Sequence, residues 1–325
     1  MNPTILQHML ELIDHRFPEP SLRAHLTAFA HEKAREQSRW ADITRFTHFM
    51  LGGNDPDIDR LAALTEVIVL ALDVVDDLQD QDNTVKPWMT CPPALALNAA
   101  VALLVAALSE VGALPPLPGA DRPGARGPGA DARAAAAPLP ASGVGALLMR
   151  ALCGQQKDLL AASDSESAYL ELTREKSGSL IRLACFLGSA TAGCADRISL
   201  DALEQFAELF GVAAQIANDL QDLRRYDLKN DLLARKRTLP ILFLLQECEK
   251  QCPPLHDFYE NRLSVEQFLA CKPDILRYIE RSGCIEYAQI VIGLLRDQAE
   301  TALAAVDGAP RWKEELRQAT LGVLA

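Results

Sequence analysis

A chain of 325 residues that is 49% hydrophobic can bury a sizeable core, and one domain over 1–325 is the expectation rather than two smaller ones. A formal net charge of −12, with no Lys/Arg tract of five or more residues, excludes a nucleic-acid partner gripped through its phosphates. Eight cysteines without a CxxC pair, and without histidines at zinc-finger spacing, point to reduced thiols in a cytoplasmic protein and away from zinc.

Residues 4 to 17, 21 to 37 and 40 to 51 hold apolar residues at three-and-four spacing and are broken by Pro18, Pro20 and Gly52-Gly53, so packed helices are predicted there. The first carries His8, Glu11, Asp14 and His15 among its apolar residues, which makes it an amphipathic helix and not a signal peptide. Asp57 to about Gln81 reads as one long helix, because Ile58, Leu61, Leu64, Ile68, Ala71 and Val75 keep a continuous apolar face. Pro87, Pro92 and Pro93 break the chain before a nearly all-apolar helix over Ala94 to Val111. Its most apolar run, Ala94 to Leu108, is too short to cross a bilayer, so a soluble protein with no transmembrane segment is expected.

Ala113 to Gly145 holds seven of the nineteen prolines, with Gly and Ala filling most of the rest, and reads as a flexible insertion between helices with no chemistry of its own. Helical periodicity resumes at Ala146 to Ala161, at Ser167 to Thr191 with an interruption at Lys176-Ser177-Gly178-Ser179, and at Ser199 to about Leu223. A basic connection then leads to Leu239-Pro240 and a helix over Ile241 to Glu249. Further helices are predicted near Ser264 to Leu269, Ile275 to Ser282 and Cys284 to Val306, followed by a terminal segment from Pro310. Strand signals are nearly absent, so the fold class is all-α, with sites between helices.

Within this pattern Asp73-Val-Val-Asp76-Asp77-Leu-Gln-Asp80 runs straight out of the apolar segment Val67 to Leu72. On a helix Asp76 and Asp80 share a face with Asp77 beside them, and the helix C-terminus disfavours their charge, so a cationic ligand explains them better than helix stability does. A half-open set of oxygen ligands suits Mg²⁺ completed by phosphate oxygens of a substrate. Gln215-Ile-Ala-Asn218-Asp219-Leu-Gln-Asp222 repeats the pattern about 140 residues later, again at the end of an apolar helix. Basic residues follow each group within reach, and Lys176 sits at a Ser/Gly-rich break where an ammonium and free backbone could meet phosphate. Taken singly, each acidic group is an ordinary solvated face and Lys176 an ordinary surface lysine. The pair of groups makes a metal-bridged diphosphate clamp the better reading.

In these residues the chain resembles the trans-isoprenyl diphosphate synthase family, from about Asp57 to Val306. Asp76, Asp77 and Asp80 match its first DDxxD and Glu66 an acidic position upstream; Gly154-Gln155 with Asp158 matches its GQxxD-like segment; Lys176-Ser177 stands where the family has Lys-Thr. Gln215, Asp219 and Asp222 match the second motif with Asn218 replacing its first aspartate, and Asp231, Lys236, Thr238, Leu239 and Pro240 match the stretch that follows. The resemblance implies an isoprenoid-synthase-type helical bundle with a central cavity, and three Mg²⁺ on an allylic diphosphate held by Asp76, Asp77, Asp80, Asp219, Asp222 and Asp231, with Asp77 and Asp222 supporting the cluster. It implies diphosphate contacts from Lys86, Lys176, Arg224, Lys229 and Lys236. Catalysis falls to the same aspartates of the two motifs with Lys176, and the isoprenoid pocket to Ala71, Leu72 and Gln215.

The departures bear on the second substrate. The two arginines that normally follow the first motif are Val85 and Lys86 here, and the family's early Gly-Lys-x-x-Arg motif, which holds isopentenyl diphosphate, is replaced by Ser38-Arg39-Trp40. That combination is similar to the ComQ branch, which implies transfer of a geranyl or farnesyl group to a tryptophan of a competence-pheromone precursor peptide. A chain-elongating synthase stays open as the alternative, as does a non-catalytic subunit of the same fold; a homodimer is an open assembly state. A class I terpene cyclase is disfavoured, because Asn218-Asp219 is followed by Asp222 and Tyr226 instead of the cyclase spacing.

Overall fold

The computed structural model describes residues 1–36, 38–81, 83–114, 140–194, 196–224 and 231–324; the side chains of Pro140, Ala141 and Arg224 are outside this description. The first helices are α1 (Pro3–Arg16), α2 (Pro20–Arg35), α3 (Trp40–Met50), α4 (Ile58–Asp80), the short α5 (Pro87–Thr90) and α6 (Pro93–Gly112). After the insertion come α7 (Pro140–Leu159), α8 (Glu166–Thr173), a π-helical turn (Arg174–Gly178), α9 (Ser179–Ala192) and α10 (Arg197–Arg224). The C-terminal part holds α11 (Leu239–Leu245), α12 (Cys248–Gln251), α13 (Pro253–Tyr259), α14 (Val265–Ala270), α15 (Lys272–Ser282), α16 (Cys284–Ala305), α17 (Pro310–Ala319) and a terminal 3-10 turn (Leu321–Leu324). No strand occurs among the described residues.

α4 is the axis of one half. From Leu61 to Ala71 every residue is buried, including Thr65 and Glu66, so the helix is enclosed on all sides by α1, α3, α6 and α9. α10 is the axis of the other half, packed against α9, α16 and the π turn. Their apolar cores meet through α9, whose Leu183 and Leu187 join the α4 cluster while Ile181, Ala184 and Cys185 join the α10 cluster. The C-terminal ends of α4 and α10 therefore open toward one another.

Four expectations are corrected. Residues 140–145 of the predicted insertion are helical, because a proline is tolerated in a first helical turn and Val144 and Leu148 are buried on α9's side; residues 115–139 lie outside the described residues. The expected break at Lys176 is a continuous π turn. The proline break before α6 includes one helical turn whose Trp88 is only 1% exposed.

Finally, α6 is 20 residues long with a hydropathy of 2.0 over its most apolar window, so it is long and apolar enough to cross a membrane. It lies along α4 with Ala96, Ala99, Ala100, Leu103 and Ala107 buried, and leaves Leu97, Val101 and Val105 about half exposed.

Candidate active site

A cavity of about 720 Å³ lies between the two helix ends, and it collects nearly all the acidic residues singled out in the sequence. α4 supplies Asp73, Asp76, Asp77 and Asp80; α10 supplies Gln215, Asn218, Asp219 and Asp222; the segment before α11 supplies Asp231, Lys236, Arg237 and Thr238. α7 adds Asp158 and the π turn adds Lys176.

Two lysines organise the carboxylates. Lys176 Nζ lies 2.8 Å from Asp158 Oδ2 and 3.2 Å from Asp76 Oδ1. Lys236 Nζ lies 2.5 Å from Asp80 Oδ2, 3.5 Å from Asp231 Oδ1 and 3.6 Å from Asp158 Oδ2. Asp158 thus joins the two ammonium groups. Burial works against its charge, but the lysines outweigh burial and hold its carboxyl below the usual range. Burial also works against both ammonium groups and is likewise outweighed by their carboxylate neighbours, so each lysine stays charged.

The π turn places Lys176. Gly154 of α7 lies so close that a Cβ there would be 2.4 Å from the Lys176 backbone nitrogen, and a Cβ on Gly211 of α10 would be 2.7 Å from Gly178 Cα. Glycines on both flanking helices let α7 and α10 close on the widened turn, which re-aims Lys176 into the cavity. The smallness of Gly154 is why the Gly-Gln pair precedes Asp158.

Asp219 is 4% exposed and held by two donors: Tyr169 Oη at 2.5 Å and Gln215 Nε2 at 2.8 Å. Ser177 Oγ donates in turn to Gln215 Oε1 at 2.7 Å. Burial, reinforced by the charge of Asp231, pushes the Asp219 carboxyl up. Asp80 and Asp231 are raised by burial as well, against the pull of Lys236.

Three further observations bear on ligands. Carboxylates outnumber cations along this wall, and the donors are all oxygen, the set a hard divalent cation takes. Thr238 Oγ1 is buried at the cavity edge with no hydrogen-bond partner among the described residues, a donor suited to a phosphate oxygen. No group of three or more His, Cys, Asp or Glu side chains converges as a ready-made metal site among the described residues, so metal and phosphate would have to complete each other's coordination.

Several sequence expectations are redistributed. Asp77 lines the cavity but both its oxygens are held by protein donors: its Oδ1 accepts from Asn83 Nδ2 and its Oδ2 from Trp88 Nε1, each at 2.6 Å, which gives it a positioning geometry. Lys86 does not line the cavity; it pairs with Glu36 and, at 3.4 Å, Glu32 on α2, with its ammonium over the Trp88 ring. Ala71, 1% exposed, and Leu72 are packed in the α4 core outside the cavity, because α4 presents Asp73 to it instead. The apolar wall comes from Ile43, Leu180, Ile181, Phe210 and Ala214, and Gln215 stands in the polar end. Lys229 and the Arg224 side chain lie outside the described residues. Tyr169 was not singled out in the sequence, being an isolated residue without a spacing pattern; Asp73 at the head of the first acidic stretch, Arg39 beside Ser38 and Trp40, and Arg237 in the basic connection lay in stretches read there but were given no role.

An all-α bundle in which two helix ends oppose their carboxylates across a lysine-bridged cavity is the architecture of the isoprenoid synthases. It is shared, as a fold, with a geranylgeranyl pyrophosphate synthetase of the archaeon Geoglobus acetivorans, at TM-score 0.73 and 22% identity over 98% of this chain and 96% of that one. A polyprenyl synthase of Caulobacter crescentus CB15, solved with calcium and isoprenyl diphosphate, superimposes at TM-score 0.76 with 19% identity over 98% and 94%. The chain belongs to the polyprenyl synthetase family, whose model matches residues 37–271, and is thereby an isoprenyltransferase acting on an allylic diphosphate. Among its relatives is the tryptophan prenyltransferase ComQ of Bacillus subtilis subsp. natto strain BEST195, 28% identical over 89% of this chain and 83% of that protein. The ComQ of Bacillus subtilis strain 168 is 24% identical over 96% of each. These place the chain with the ComQ-like branch of the family.

Proposed function

We propose that the protein moves a geranyl or farnesyl group from its diphosphate to a tryptophan of a competence-pheromone precursor peptide, in a magnesium-dependent reaction. The observation that carries this over chain elongation is the state of the cations near α2 and α3. A second, isopentenyl diphosphate needs its own cationic pocket. Lys33 is committed to Asp73 at 2.5 Å and to Glu36 at 3.5 Å, Lys86 is committed to Glu32 and Glu36, and Val85 is 86% exposed. Arg39 is then the cation left on that side of the cavity among the described residues, too little for a diphosphate of charge near −3.

Asp76, Asp80, Asp219 and Asp231 hold the metal in this reading, Asp77 and Asp222 set their orientation, and Tyr169 and Gln215 fix the carboxylate of Asp219. The metal these residues would hold with the diphosphate would supply neutralisation of the leaving group's charge. Lys176 and Lys236 turn from their carboxylates toward the phosphate oxygens, joined by Thr238 Oγ1, and stabilise the same charge through hydrogen bonds. The apolar wall of Ile43, Leu180, Ile181 and Phe210 takes the isoprenoid and keeps water from the allylic carbon.

Mass spectrometry tests it. The purified protein receives Mg²⁺ and geranyl or farnesyl diphosphate, with isopentenyl diphosphate in one reaction and the tryptophan-containing precursor peptide of the same genome in another. A gain of one prenyl unit by the peptide, without elongation, is the expected result. Elongated diphosphate beside unmodified peptide would replace this reading by chain elongation.

A further inference from the structure

Asp73 is a cavity carboxylate to which the diphosphate chemistry gives no part. Asp73 lies one turn before Asp76 on α4 and faces the cavity with its side chain 39% exposed, while its partner Lys33 is 6% exposed and does not line the cavity. Lys33 Nζ donates to Asp73 Oδ2 at 2.5 Å, and no hydrogen bond to Oδ1 is made among the described residues. Burying the Lys33 ammonium costs desolvation, and well-packed apolar residues in place of a buried pair are often as stable or more so. Stability alone does not require this pair.

The neighbouring carboxylates are otherwise engaged. Asp77 is bound by Trp88 and Asn83, Asp158 and Asp80 by the two lysines of the diphosphate end, and Glu66 is fully buried beneath Ser38 Oγ and the Ala41 backbone N–H. Asp73 alone pairs with a lysine from outside the cavity, and it shares its stretch of wall with Arg39 and Trp40.

We propose that Asp73, anchored by Lys33, is the acceptor-side catalytic residue: its Oδ1 receives the indole N–H of the acceptor tryptophan and takes the proton released on prenylation. The inference rests on the tryptophan-transfer reading. The step balances as follows: the allylic C–O bond breaks with its electron pair on the diphosphate, the indole ring bonds to the allylic carbon, and the N–H proton of the resulting cation passes to Asp73. Lys33 holds Oδ2 and fixes the carboxylate's rotamer, so that Oδ1 points at the acceptor before the donor ionises. The acceptor therefore enters from the α2–α3 side, opposite the lysine-held diphosphate.

Two variants test this with Mg²⁺, geranyl or farnesyl diphosphate and the tryptophan peptide that the wild type prenylates: Asp73→Asn, and the double change Lys33→Met with Asp73→Leu, which removes both charges and leaves none unpaired. Peptide prenylation falls about 100-fold or more in both, whereas peptide-independent release of diphosphate from the donor persists. Prenylation retained in either variant overturns the proposal. So does a parallel loss of prenylation and diphosphate release, or failure of both variants to fold, since each assigns the pair to structure. A wild type that elongates with isopentenyl diphosphate and leaves peptides unmodified sinks the underlying reading and this inference with it; prenylation surviving without Asp73 sinks the inference alone.

Discussion

Lys236 Nζ sits 2.5 Å from Asp80 Oδ2, joining the end of α4 to the segment before α11 across 156 positions of sequence. Both side chains are 14% exposed, so water screens the pair weakly. The Lys236 backbone is fixed as well: its N–H donates to the Asp231 carbonyl at 2.8 Å and its carbonyl accepts from Tyr259 Oη at 2.8 Å. One ammonium thus holds the two halves of the acidic site together while no phosphate is present. The same group is poised to transfer to a phosphate oxygen.

Lys236→Met should therefore act twice. Without ligand it takes from Asp80 and Asp231 the ammonium they share, and destabilisation of about 3 kcal/mol is expected for a broken buried pair. With ligand it removes a donor to the leaving group, and kcat should fall by about 100-fold or more. Thermal melts with and without Mg²⁺ and a non-hydrolysable allylic diphosphate analogue separate the two effects: the ligand should recover most of the lost melting temperature and none of the lost rate.

Tyr169→Phe should weaken metal binding without touching any ligand atom. The hydroxyl donates to Asp219 Oδ2 at 2.5 Å and so fixes the orientation of that carboxylate. Outer-shell donors of this kind are worth about 10- to 100-fold in metal affinity. Titrating activity against Mg²⁺ should show a raised half-saturation with near-normal turnover at saturation. Unchanged Mg²⁺ dependence would mean that Asp219 is not a ligand.

Much of this site was legible in the sequence because its parts are local and periodic. Asp76 and Asp80, Gln215 and Asp219, and Asp231 and Lys236 are each separated by four or five residues, so helix or turn geometry alone brings them to one place. The opposition of the two groups followed from both lying at the ends of apolar helices. Long-range pairing was not legible. Lys86 stands where a phosphate contact was expected, yet Glu32 on α2 and Glu36 just after it, 54 and 50 positions earlier, claim its ammonium. Ala71 and Leu72 failed for a related reason: the sequence says that α4 is apolar there, but which face meets the cavity depends on how α6 and α9 pack. The helix boundary at Pro140 was hidden because composition over a window averages a proline-rich loop with the first turn of the helix that follows it.

Acid should destabilise the fold through His48. The ring is fully buried, accepts from the Asp55 N–H at 3.1 Å through Nε2 and bonds Thr191 Oγ1 at 3.0 Å through Nδ1, so it is neutral with Nδ1 carrying the proton. Burial lowers its pKa from the ordinary 6.5, against the charge of Asp55. The unfolded chain then binds the proton more readily, and stability falls as the pH drops below about 6.5 until it passes the folded-state value. Melting temperature between pH 7 and pH 5 should decline less steeply in His48→Gln than in the wild type. Equal slopes would place the acid sensitivity elsewhere.

Gly154→Ala tests whether the π turn is held by the close approach of α7. The added methyl would lie 2.4 Å from the Lys176 backbone nitrogen and 2.8 Å from its Cα, and since both are main-chain atoms no side-chain rotation relieves the clash. α7 or the turn has to move, at a cost of about 1–3 kcal/mol for overpacking a tight contact. Lys176 moves with the turn, away from Asp76 and Asp158. Activity should drop by at least about 10-fold, by more than the modest loss of stability explains at 25 °C, because a displacement of about 1 Å in a positioning group is enough for such a loss. The control is Gly145→Ala on the same helix, where an added Cβ meets nothing within 4 Å; there alanine's greater helix propensity should hold or raise stability and leave turnover intact. Equal activity in the two variants would show that the site tolerates movement of the π turn, and that Lys176 reaches the phosphate through side-chain flexibility instead of a fixed backbone.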